Sequence, residues 1–391
     1  MNLIDLKLLV EKPISGEWGK EGDKVNIIRT TNFTNEGVLN LKNVVKRDID
    51  EKKINIKRLQ KGDIVIEKSG GSPKQPVGRV VFYDLESEDV YLCNNFTSIL
   101  RPKKDKVNPK YLHYILFVNH KKGVTNKFQN KTTGIINLKL NNYLNDLKIP
   151  LPKLEKQKKI AAILDEADKV RQLNKELIAK YGALTQSLFL EMFGDPVTNP
   201  KGWEKVKFNT ICSFEKTSIK PENIISGTFY IGLESIEKET GKILDKVSVI
   251  ENELKSNKFY FDENFILYGK LRPYLNKVGN PDFEGICSTD IIPLKPFLGK
   301  SNKQFVTAVM RSSGFVSWAN ERCSGANLPR ISPKEVEKYL IINPPVELQN
   351  KFAERVQIIK NQKRQAQESL QKSEDLFNSL LQKAFKGELV K

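Results

Sequence analysis

Between residues 155 and 193 apolar side chains fall at Ile160, Ile163, Ala167, Val170, Leu177, Tyr181, Leu184 and Leu188, mostly three or four apart, with no proline among them. That spacing predicts one long amphipathic helix. Residues 347–385 repeat it with Phe352, Val356, Ile359, Ala366, Leu370, Phe377, Leu380 and Ala384, interrupted at Lys363 and Ser373. At 1.5 Å per residue each helix would run about 60 Å. Polar residues cover so much of both circumferences that the economical partner for each narrow stripe is the other helix, in an antiparallel coiled coil. The alternative is that each helix simply wraps its own domain.

The two helical segments belong to a longer duplication. IPLPKLEKQKKI from Ile149 returns as IINPPVELQNKF from Ile341, an offset of 192 that matches Gln157 to Gln349, Ile160 to Phe352 and Met192-Phe193 to Ala384-Phe385. Upstream, the run Gly62-Asp63-Ile64-Val65-Ile66, then Ser98 to Pro102, then Thr133-Gly134, has a weaker counterpart in Phe265 to Gly269, Thr289 to Pro296 and Ser324-Gly325. A repeat on that scale predicts duplication of a whole structural unit.

Strand-like runs bounded by turn residues fill both globular stretches: Val25 to Arg29, Ile64 to Glu67, Val77 to Tyr83, Phe96 to Leu100, Phe229 to Leu233, Phe265 to Leu267 and Ile291 to Leu294. Short helical patterns at Lys110 to Asn119 and Lys303 to Ser312 interrupt them. The expected fold class is α+β, with two similar α/β domains at 1–150 and 196–343 and two helical connectors at 151–195 and 344–391. A length of 391 residues suits that division, since one domain usually takes roughly 100 to 200 residues.

Charge narrows the function. The chain carries 65 Lys and Arg against 47 Asp and Glu, a formal +18, which favours a polyanionic partner, nucleic acid before an anionic membrane. Residues 1–150 hold 27 cations against 17 acids and 196–343 hold 21 against 17, whereas 151–195 hold 8 against 7 and 344–391 hold 9 against 6. The excess sits mostly on the globular stretches, so the helices read as connectors and the domains as the binding parts. No run approaches the roughly 20 apolar residues a bilayer span needs, and the first residues do not read as a signal peptide, so a cytoplasmic location is expected.

Catalytic chemistry finds little support. Cys93, Cys212, Cys287 and Cys323 lie far apart without a CxxC spacing and are read as buried thiols, and only His113 and His120 could serve His-based chemistry. Gly70-Gly71-Ser72-Pro73 matches neither phosphate-cradle fingerprint. Asp63 with Glu67-Lys68 superficially resembles a metal-nuclease set, but the equivalent FILYGKL lacks both acids, and a turn entering a strand is the simpler reading. Asn343-Pro344-Pro345-Val346 lacks the aromatic that stacks on a flipped base in amino-methyltransferases. No metal or cofactor is expected.

What remains are loops that mix cations for phosphate with amides and hydroxyls for base edges. Lys68, Lys74, Gln75 and Arg79 flank the Gly70-Gly71 turn, and Lys131, Thr132 and Thr133 follow Lys127. In the second half the candidates are Lys270, Arg272, Tyr274 and Lys277, then Arg322, Ser324, Asn327 and Arg330. An ordinary solvated loop is the competing account of each.

This layout resembles the specificity subunit of type I restriction-modification systems. The resemblance rests on the connector IPLPKLEKQKKIAAILDEADKVRQLNKELIAKYGALTQSLFLEMFGDP followed by Lys201-Gly202-Trp203-Glu204, on Gly62 to Val65, on Thr133-Gly134 and on the closing LFNSLLQKAFKGEL. The first half has no clear counterpart of the Gly202-Trp203-Glu204 opening, although Gly16-Glu17-Trp18 lies near the expected place. The resemblance implies two target recognition domains that each read half of a split site on double-stranded DNA, with the paired helices as the ruler between them. It further implies a non-catalytic chain whose partners are two methyltransferase subunits and restriction/motor subunits. A stand-alone nucleic-acid-binding coiled-coil scaffold is the principal alternative, and a structure-specific nuclease the second.

Overall fold

The computed structural model describes residues 2–72, 75–132, 135–214, 216–250 and 254–390; of Lys131 and Thr132 only the backbone is described. Two helices dominate, Leu154–Phe193 and Val346–Lys386. They pack together antiparallel: Arg171 lies over the Phe377 ring at 4.4 Å, while Phe189 and Phe193 meet Phe352 at 5.8 and 5.4 Å.

The stripe splits in two on the first helix. Ile160, Leu164, Ala167 and Arg171 are buried, whereas Ile163, Val170, Leu177 and Leu184, expected in the same seam, stay 38–51% exposed. Residues three apart are separated by 300° of helical rotation, so Ile163 lies about 60° round from Ile160, and only one edge of the stripe turns inward. On the second helix Phe352, Val356, Ile359, Ala366, Phe377 and Ala384 are buried as the pattern predicts, whereas Leu376 stays exposed.

Neither helix stands apart from the domains. The chain divides into two compact units, residues 1–173 with 369–391, and residues 174–368, so each helix contributes one half to each.

In the first unit an antiparallel sheet runs in the order Ile14–Ser15, Thr97–Leu100, Asp63–Glu67, Val80–Tyr83. A second sheet places Lys20–Ile28 between Val45–Asp48 and Tyr91–Cys93, and the pairing of Lys20–Ile28 with Tyr91–Cys93 is parallel. Leu3–Asp5 pairs antiparallel with Lys148–Pro150. The helix Pro109–Lys121 starts at Pro109, which needs no N–H there, and the Asn108 side chain accepts from Tyr111 N–H. Its buried face, Tyr111, Leu112, Ile115 and Leu116, joins Ile160, Leu164, Phe377 and Leu381 in one core.

The second unit repeats this order. Its antiparallel sheet runs Cys212–Ser213, Ile291–Pro296, Ile266–Gly269, Val278–Gly279. Its second sheet again contains one parallel pairing, Phe229–Ile231 with Gly285–Cys287. Lys205–Lys207 pairs with Leu340–Ile342. The helix Lys303–Arg311 is capped by Asn302, and Phe305, Val306, Val309 and Met310 join Phe189, Phe193 and Phe352. A second helix, Ser313–Glu321, continues after the Ser312 cap and was not signalled by the sequence pattern.

Cys93 and Cys287 end the two equivalent parallel strands, and burial pushes their thiols up to about 11 and about 12. Cys212 is buried as expected; Cys323 departs from that expectation and is only half-buried, its Sγ beside Ala319 O at 3.3 Å.

Candidate nucleic-acid interface

In the first unit the strand leading out of the central sheet ends at Glu67, and the chain then forms Ser69–Gly71, the edge of a three-stranded sheet with Ile135–Leu138 and Gln129–Thr132. Two candidate segments that lie about 60 residues apart in sequence are thereby joined. Leu138 N–H donates to Lys68 O at 2.8 Å, and Ser69 Oγ donates to Asn137 Oδ1 at 2.6 Å. Ser72 and Gln75 exchange backbone hydrogen bonds at 2.9 and 3.0 Å, which brings exposed Gln75 beside the same edge. Gly71 is required here, since a Cβ would fall 2.7 Å from Val77 Cγ1. The Lys68 ammonium donates to Ser15 Oγ at 3.1 Å, and burial holds it below the ordinary lysine range. Lys74 and Thr133 lie outside the described residues.

Arg79 departs from its expected role as a free cation. Its guanidinium binds both carboxylate oxygens of Glu67 at 2.9 Å and donates further to Phe33 O and Thr30 O, with the side chains 11% and 3% exposed. A bidentate pair so committed fixes the fold of the strands it bridges. Asp63, the other acid considered for metal chemistry, is held in the same way by Arg101 at 2.8 Å. No cluster of His, Cys, Asp and Glu among the described residues is arranged to hold a metal.

The second unit brings its two candidate segments together as well. Arg272 N–H donates to Pro329 O at 2.7 Å, Ile331 N–H to Lys270 O at 3.1 Å, and Ser324 and Arg330 exchange backbone bonds at 3.0 and 2.9 Å. Arg272 sits in the left-handed region at φ 53°, which turns the chain so that Arg272 and Tyr274 point outward, Tyr274 half-exposed. Asp290 is shared by two cations, Arg330 Nε at 3.2 Å and Lys270 Nζ at 3.8 Å, so the local balance stays positive. No carboxylate lies within 4 Å of Arg272 among the described residues, and Ser324 and Asn327 are exposed beside it.

Lys277 turns inward and donates to Leu233 O at 2.6 Å, and Arg322 rests on the Trp318 ring at 4.8 Å. Lys216, which the sequence did not single out, adds to the field around Lys270: partial desolvation first, and Lys270 second, lower its pKa. Its loop lies more than 50 residues before Lys270, so no local pattern announces it.

Each unit therefore presents cations, amides and hydroxyls where the strand equivalent to Asp63–Glu67 exits and meets the segment before the last short helix. Residues 13–180 match the family model for the type I restriction modification DNA specificity domain. That match takes in most of the first globular stretch and the first part of the long helix Leu154–Phe193. Among its relatives, the EcoDI specificity subunit of Escherichia coli is 29% identical over 49% of this chain, and the match spans 43% of that subunit's own length. A putative MjaX specificity subunit of Methanocaldococcus jannaschii is 26% identical over 85% of this chain and 80% of its own. The fold matches the S subunit structure from M. genitalium with a TM-score of 0.60, 14% identity and coverage of 98% of this chain and 96% of that one. A chain from a structure describing assembly and conformational transition of the type I system matches with a TM-score of 0.55, 14% identity and coverage of 99% and 98%.

Proposed function

We propose that this chain is the non-catalytic DNA-reading subunit of a type I restriction-modification complex. Each globular domain reads one half of a bipartite site in double-stranded DNA, and the helices set the spacing between the halves. The observation that carries this reading is the duplication: two units whose four-stranded sheets run in the same order each gather a basic, amide-bearing surface at the same point of the fold. Two linked readers gain affinity through effective concentration, and a stiff connector limits engagement to sites with the right gap.

The DNA-facing set is Lys68, Gln75, Lys131 and Thr132 in the first unit and Lys270, Arg272, Tyr274, Ser324, Asn327 and Arg330 in the second, with Lys74 and Thr133 completing the first. Cations there engage phosphate, while Gln75, Asn327 and the hydroxyls face base edges. Two methyltransferase subunits dock on the outer face of the first long helix, and restriction/motor subunits join them. Ile163, Val170, Leu177 and Leu184 recur every seven residues there, between 38% and 51% exposed, a stripe suited to a partner helix. The complex works in the cytoplasm, and no helix among the described residues is long and apolar enough to cross a membrane.

The test is methylation sequencing of host DNA with and without this gene, together with co-purification of a methyltransferase from the same operon. Loss of one bipartite adenine-methylation motif is expected. An unchanged methylome with the partner present would overturn the reading.

A further inference from the structure

The two units set the same domain helix against the same pair of long-helix segments, yet they finish that contact differently. In the first, Tyr114 and Phe377 meet edge-on at 6.1 Å, Tyr114 donates its hydroxyl to Asp165 at 2.6 Å, and Arg171 lies over Phe377 while pairing with Asp168. The repeat offset, 194 residues on the domain helix and 192 on the long helices, puts Ala308 where Tyr114 stands and Thr185 where Phe377 stands. It likewise puts Gln357 at Asp165, Lys360 at Asp168, Lys363 at Arg171 and Arg311 at Phe117. The register is secure, because the adjacent ring pair is kept: Tyr111 with Phe385 at 6.2 Å becomes Phe305 with Phe193 at 4.9 Å. Only the outer filling is gone.

Its loss leaves a cavity of about 1150 Å³ inside the second unit, somewhat larger than the roughly 300–1,000 Å³ of ordinary small-molecule sites. Phe189, Phe352 and Val356 form its apolar floor, with Tyr181 at one side. Arg311, Lys360 and Lys363 stand around it, and none has a carboxylate within 4 Å among the described residues. Arg311 Nε donates to Val278 O at 3.2 Å, and burial pulls the guanidinium down to about 10. Of the acids at the border, Asp282 pairs with Lys246 at 3.5 Å, while Asp195, which accepts from Val197 N–H at 2.7 Å, and Glu239 keep their charge. Asp282 acts on Lys360 only at a distance, and partly desolvated cations without a carboxylate in contact are costly, a cost that an anion placed among them offsets.

We propose that this cavity binds a nucleoside phosphate. The base lies in the space that the Tyr114 and Phe377 rings fill in the first unit, and the phosphate lies among Arg311, Lys360 and Lys363. An anion without a ring would leave the apolar floor open, and a duplex keeps its bases stacked inside, so neither uses both parts of the site. Side-chain cations replace the glycine-rich cradle, so binding needs no divalent metal.

The test is equilibrium binding to the full chain, with ATP as the probe and adenosine and tripolyphosphate as its two halves, repeated with Ala308→Tyr and Lys360→Asp, which install the first unit's residues. Saturable ATP binding is expected, weakened at least about tenfold in either half-ligand and in either variant. It should persist in chelator and in the presence of excess 30-base-pair duplex. Ala308→Tyr must keep the wild-type circular dichroism spectrum to count, and Lys360→Asp, on the exposed rim, decides alone if it does not. No saturable ATP binding, equal binding by the variants, or full displacement by the duplex would overturn the proposal. The result is independent of whether the gene controls a methylation motif.

Discussion

Gln157 and Gln349 make the same hydrogen bonds in the two halves of the chain. Gln157 Oε1 accepts from Asn108 N–H at 2.8 Å and its Nε2 donates to Pro152 O at 2.8 Å; Gln349 Oε1 accepts from Asn302 N–H at 3.0 Å and its Nε2 donates to Pro344 O at 2.8 Å. Both side chains are essentially fully buried, and each ties the start of a long helix to the N-cap of the helix it packs on. Gln157→Leu strands a backbone donor and a backbone acceptor, each costing about 1–3 kcal/mol. A destabilisation of roughly 2–6 kcal/mol in urea unfolding is expected for Gln157→Leu and again for Gln349→Leu. A loss below about 0.5 kcal/mol would mean that water replaces the amide without cost.

Arg79 and Arg272 should respond in opposite ways. Arg79→Met abandons the buried Glu67 carboxylate, and breaking such a pair costs about 3–5 kcal/mol, so unfolding should report it. Arg272→Asn keeps a residue that tolerates the left-handed backbone and should leave stability nearly unchanged. It should weaken DNA binding and reduce the slope of log K against log salt by about 0.9. Fluorescence anisotropy at several salt concentrations measures both, and a wild-type slope in Arg272→Asn would remove that residue from the interface.

The long helices were legible because a period sustained over 40 residues outweighs local noise, and the duplication because Gln157 and Gln349 sit at fixed places in it. Strands of three or four residues, such as Gly285–Cys287 and Lys258–Phe261, carry too few alternations to register, and the parallel pairing of Phe229–Ile231 with Gly285–Cys287 is a non-local event. Gly314 masked the helix Ser313–Glu321. At the candidate site, residues 270–277 and 322–330 were each visible as polar, basic loops, but their union depends on backbone bonds across more than 50 residues. Arg79 looked free because its partner, Glu67, sits on the neighbouring strand 12 residues away.

Helix length should set the preferred gap between half-sites. Inserting one heptad between Lys169 and Lys180, with a matching heptad between residues 365 and 376, preserves the seam while lengthening both helices by about 10 Å. At about 3.4 Å per base pair the methylated motif should keep both half-sites and gain roughly three base pairs of spacer. Methylation sequencing that returns the original spacer would sink the ruler.

The exposed heptad stripe gives a separable prediction. Val170 and Leu177 face outward and contribute little to the seam, so Val170→Glu with Leu177→Glu should leave the unfolding midpoint within experimental scatter. Two charges introduced into an apolar helix interface should abolish co-purification of the methyltransferase. Retention of the partner at wild-type stoichiometry would place docking elsewhere on the chain.

Acid sensitivity should trace to His113 together with His120, whose pKa burial lowers to about 4. The His113 ring is buried between Phe82, Tyr114 and Phe117, and burial first, with Lys110 second, lowers its pKa to about 3. The unfolded chain takes up the proton near the ordinary histidine value of about 6.5, whereas the folded one refuses it until about pH 3. Between those limits the unfolded state binds more protons, so stability is fully present above about pH 6.5 and falls as the pH drops toward 3. His113→Phe removes this titrating group while keeping a ring in the same apolar nest. Its stability should therefore decline less than wild type between pH 6.5 and 4, as read from urea midpoints. Parallel pH curves for the two proteins would assign the acid sensitivity to other groups.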